Sequence, residues 1–123
     1  MNSETKSMLE SAGIDVDTAL RRMMNNEALL IKFLKKFGED DSYKNLTAAM
    51  VTGDRKAAFI AAHTLKGVAG NLGLDGVMNA VVPIVESLRN NEEDIFDPCV
   101  LKADMERVTE NYTKAMTAIE QIG

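Results

Sequence analysis

The chain has 123 residues, 46% of them apolar and 27% charged, which is the size and make-up of one water-soluble globular domain and leaves no room for a two-domain enzyme. Its formal net charge of −5 argues against a nucleic-acid partner, which would require Lys and Arg in excess on at least one face. A single cysteine, Cys99, and a single histidine, His63, exclude an intrachain disulfide and an ordinary His/Cys metal cluster.

A reducing, cytoplasmic setting is therefore expected, with no metal site and no cofactor of the chain's own. The lead from Met1 to Ala12 mixes charged residues with Ser and Thr and lacks the apolar run of a signal peptide. Such a lead favours a free-standing protein over a piece of a larger kinase, and it has room for a brief helix. After Gly13, Asp15 caps a short amphipathic run, Val16–Ala19–Leu20–Met23.

Leu30, Phe33, Leu34 and Phe37 then share one helical face, and Leu46, Ala49 and Met50 share another that is rotated from it. The chain must bend between them, and Gly38–Glu39–Asp40–Asp41 is the natural place. Gly53 closes the second piece as a glycine just past a helix end, and Asp54 caps the next helix. That helix runs to Gly73 with a core stripe of mostly small residues: Ala58, Ala61, Ala62, Leu65, Val68, Ala69 and Leu72.

Val77, Val81, Ile84 and Leu88 form a further stripe, interrupted by Pro83, where a kink is expected. The polar run Asn90–Asp94 reads as a solvated connection. Asp97 and Pro98 open the last helix, with Leu101, Met105, Val108, Tyr112, Met116 and Ile119 on one face. No window alternates as a strand would, and the apolar runs fall far short of the roughly 20 residues that cross a bilayer. The expectation is a single all-α domain over residues 1–123: an antiparallel up-down four-helix bundle with one or two short N-terminal helices and no direct membrane insertion.

His63 points about 160° away from Leu65 on the helical wheel, so it faces water. Lys66 at i+3, Gly67 at i+4 and Gly70 at i+7 lie on or beside the same face, and Phe59 and Ile60 flank it one turn earlier with apolar surface that suits partner docking. Two glycines in a helix interior cost about 0.5–1 kcal/mol each relative to alanine. Their direction, away from the core stripe, suits a partner that must reach the histidine closely. A neutral imidazole is a nitrogen nucleophile that can carry a phosphoryl group, and Lys66 would favour the charge there.

The run Ala62–His63–Thr64–Leu65–Lys66–Gly67–Val68–Ala69–Gly70–Asn71–Leu72–Gly73 resembles the signature of histidine-containing phosphotransfer (HPt) domains, and the likeness extends from Gly13–Ile14–Asp15 to the helical C-terminus. The resemblance implies a phosphorelay intermediate. His63 would accept a phosphoryl group from a phospho-aspartate receiver domain and pass it to another, with Lys66 as phosphate-side cation and Gly67 with the later glycines as the access surface. It implies receiver domains and a sensor histidine kinase as partners, Mg²⁺ on the receiver, and a monomer. Many members carry a polar residue, often glutamine, beside the active imidazole; counting from the motif, Val85 stands there, with Glu86 next to it. That departure keeps a second reading open, a docking bundle that binds receivers or kinases without relaying phosphate.

Overall fold

A computed structural model describes residues 1–122. They form α1 (Ser3–Ser11), α2 (Val16–Arg22), α3 (Glu27–Phe37), α4 (Ser42–Thr52), α5 (Arg55–Asn71), α6 (Asp75–Arg89), a 3-10 turn (Pro98–Leu101) and α7 (Lys102–Glu120). The chain is all-helical. Among the described residues there is no strand, only an isolated bridge between Asp54 and Ile95.

Each boundary follows from local chemistry. The Asp15, Asn26 and Asp54 side chains accept hydrogen bonds from the backbone N–H groups of Thr18, Leu29 and Ala57, occupying donors that the first turn of a helix leaves unpaired. Asp97 does the same for Cys99, but it caps the 3-10 turn, so the last α-helix starts at Lys102, four residues later than Pro98 suggests. Gly53, at φ +74°, ends α4 in the left-handed conformation that glycine adopts without strain.

α5 packs against α4 and α6, α6 against α7, and α1 and α3 also lean on α7. Their inward faces merge into one core. Stacked rings of Tyr43 and Tyr112, 3.9 Å between centroids, join α4 to α7, and Phe37 brings α3 to the same cluster at 5.7 Å from Tyr112. Leu30, Leu34 and Phe37 are buried as the sequence pattern requires, whereas Phe33, placed on the same face by its spacing, is 38% exposed at the stripe's edge. Met105 and Met116 pack partly buried against the core, the gap-filling use that their flexible side chains suit.

α6 continues unbroken through Pro83, where a kink was expected. Pro83 sits on the exposed side, and the carbonyl it leaves without an N–H partner belongs to the exposed Asn79, within reach of water. Beyond α2, Met24 and Asn25 both adopt positive φ, +56° and +59°. Asn tolerates this conformation, but Met does not favour it, and Met24 is 90% exposed, so little packing offsets the strain. Met24→Gly is expected to raise stability by about 0.5–1 kcal/mol; an unchanged urea midpoint would show that the turn is unstrained.

Candidate functional site

α5 carries the site, and both of its ends are anchored. At the start, besides the Asp54 cap, Phe96 N–H donates to the Gly53 carbonyl at 3.0 Å and Arg55 N–H to the Asp94 carbonyl at 3.0 Å. At the far end, Asp15 N–H donates to the Gly73 carbonyl at 2.7 Å, which fixes the start of α2 against the end of α5. Gly73 has φ +72°, and a Cβ there would lie 2.7 Å from the Asp15 carbonyl oxygen. It is a packing glycine and not part of the access surface that the resemblance implies.

Between these anchors His63 is exposed on α5. Its ring centroid lies 5.8 Å from that of Phe59, at an interplanar angle of 37°, and the Arg89 guanidinium stands 5.8 Å above the Phe59 ring. Phe59 is therefore half-buried, part core and part platform beside the imidazole. Ile60 is 55% exposed and lines a separate groove of about 420 Å³ between α4 and α5, with Ala57 and Thr64.

On the other side of His63 a cavity of about 350 Å³ is lined by Arg22, His63, Lys66, Gly67, Gly70, Asn71, Asp75 and Met78. The structure thus brings His63, Lys66 and both expected glycines together. The two glycines differ. A Cβ at Gly67 would meet nothing within 4 Å, whereas one at Gly70 would sit 3.1 Å from Met78 Sδ. Gly67 is open surface, and Gly70 is half-covered by α6.

Val85, the residue that counting from the motif places where many members carry a polar partner, lies on α6. It is fully buried, because it falls one residue past Ile84 and four past Val81 and so joins the apolar face of α6. Glu86 is exposed and bonded to Arg89 at 2.9 Å. Among the described residues, no side chain forms a hydrogen bond with the His63 ring.

The sequence pattern gives no sign of Arg22 at this site. Its Nη1 donates to the Gly70 carbonyl, 48 positions away in the chain. No periodicity signals such a contact. Asp75 and Met78, at the start of α6, also reach the cavity only through the α5–α6 turn. Cys99 is an exposed free thiol on the 3-10 turn, in a groove away from His63.

Among the described residues no group of three or more His, Cys, Asp or Glu side chains could hold a metal ion, and no helix is long and apolar enough to cross a membrane. The site offers an exposed nitrogen nucleophile, a neighbouring ammonium group and an unobstructed stretch of backbone. The family model described as Hpt domain matches residues 29–118 of this chain, from α3 almost to the end of α7. Comparison with curated proteins gives no match, and neither does comparison with solved structures.

Proposed function

Since the chain belongs to the Hpt domain family, whose role is histidine phosphotransfer in phosphorelays, we propose that His63 is the phosphorylated residue and that receiver domains are its donors and acceptors. The observation that carries this reading is the exposure of the chain's only histidine between Phe59 and the Lys66–Gly67 surface. The unprotonated ring nitrogen gives its electron pair to phosphorus, the P–O bond to the donor's aspartate breaks, and the carboxylate leaves with that bond's pair. The reverse step, on a second receiver, restores the imidazole.

Lys66, half-buried on the next turn, favours negative charge on the moving phosphoryl oxygens. In-line positioning and Mg²⁺ come from the receiver, which makes this chain a carrier and not an autonomous kinase. A sensor histidine kinase stands upstream. We place the protein in the cytoplasm as a monomeric four-helix bundle of antiparallel helices, acting as a single domain, with α1 and α2 as short N-terminal additions.

The test is incubation with phosphorylated receiver domains and Mg²⁺, watching for acid-labile label on this chain. Receiver binding without label would mark a docking bundle instead. Within that assay, Lys66→Ala is expected to slow transfer on the order of tenfold while the melting temperature stays nearly unchanged, since an unpaired surface lysine adds little to stability. Equal rates would make Lys66 a bystander.

A further inference from the structure

Arg22 lies outside residues 29–118, the span matched by the family model, yet it lines the His63 cavity. Resting on the phosphotransfer reading above, we propose that Arg22 is a docking cation of this site, held on the Gly70 carbonyl to meet an acidic patch on the partner that exchanges the phosphoryl group.

Three features carry it. First, α2 is fixed at both ends against α5: Asp15 N–H bonds to the Gly73 carbonyl, and Arg22 Nη1 to the Gly70 carbonyl. The helix therefore presents its last side chain in a set place. Second, a guanidinium has five N–H donors, and the Gly70 carbonyl takes only one direction of them, so the exposed group keeps donors for a carboxylate.

Third, the charge on this face opposes the charge of the whole. The chain carries −5, yet Arg22 and Lys66 stand on one side of His63 and Arg89 on the other. Asp75 is the one acid lining the cavity, and Glu86 is engaged by Arg89. Asp15, which senses both Arg21 and Arg22, is held below the ordinary carboxyl range first by its hydrogen bonds from Thr18, so it is already engaged as the α2 cap. Gly70 is seven residues past His63, about 10 Å along the helix axis. Arg22 is thus placed to meet the partner's surface around the transferring group, and the group itself falls to Lys66.

The experiment measures transfer from a ³²P-labelled receiver domain to the whole chain, in wild type, Arg22→Gln, Arg22→Lys and Arg21→Gln, at low and high salt, with thermal melts of each. At low salt Arg22→Gln is expected to raise KM about fivefold, the upper range for one exposed ion pair, with kcat within about twofold. At about 1 M salt, where screening acts within about 3 Å, wild type and Arg22→Gln should converge. Arg22→Lys keeps the charge but not the planar fork of donors and should fall between wild type and Arg22→Gln, and Arg21→Gln, whose guanidinium bonds Thr18 Oγ1, should match wild type.

An unchanged KM in Arg22→Gln overturns the proposal. So does a KM raised equally at both salts and in Arg22→Lys, or a variant that melts below assay temperature, since either makes Arg22 a tether only. Failure of the underlying reading looks different: no label on wild type, or label that survives His63→Gln, overturns both.

Discussion

His63→Gln is expected to lose all labelling by phosphorylated receivers while folding as wild type does. Glutamine keeps a polar side chain of similar reach but has no nitrogen lone pair able to form a phosphoramidate, and the chain has no second histidine to replace it. An exposed side chain away from the core changes stability by no more than about 0.5 kcal/mol, so the loss cannot come from unfolding. ATP and Mg²⁺ without a receiver should label neither chain, because no glycine-rich phosphate loop follows a strand in this sequence. Undiminished label on His63→Gln would remove the histidine from the mechanism altogether.

How much of this site could be read beforehand depends on how far each signal reaches along the chain. Caps and turns are local, so Asp15, Asp54 and Gly53 are legible as residues, and the structure uses them as the sequence suggests. The direction of His63 is also local, since it needs only the 100° step of a helix and the stripe of small core residues opposite. Counting from the motif locates Val85 but carries no information about which way the second helix is turned. The α6 stripe of Val77, Val81, Ile84 and Leu88 leaves room for Val85 at its margin, and burial of that margin decides the matter.

Arg22 and Gly73 mark the opposite limit. Both owe their roles to α2 lying across the end of α5, a tertiary arrangement with no periodic trace. Gly67, Gly70 and Gly73 look alike in the sequence, three glycines at three-residue spacing. The structure separates them into an open surface, a half-covered contact with Met78 and a backbone junction with Asp15.

That separation makes Gly67 the residue on which access to His63 can be tested most sharply. A Cβ at Gly67 meets no atom within 4 Å, so Gly67→Ala adds no clash and only removes backbone freedom from the unfolded chain. It should stabilise the protein by about 0.5–1 kcal/mol. If a neighbouring helix instead closed on this position, the methyl group would overpack the contact and cost about 1–3 kcal/mol. Gly67→Gln should also fold, since its side chain extends into the same open space one turn beyond His63. There it holds the receiver's surface away from the imidazole, and because in-line transfer tolerates a misplacement of only about 1 Å before losing on the order of 100-fold, the rate should fall at least that far. Thermal melts and transfer rates on the same two variants decide it: a loss of stability in Gly67→Ala, or full transfer by Gly67→Gln, would mean that the partner reaches His63 by another face.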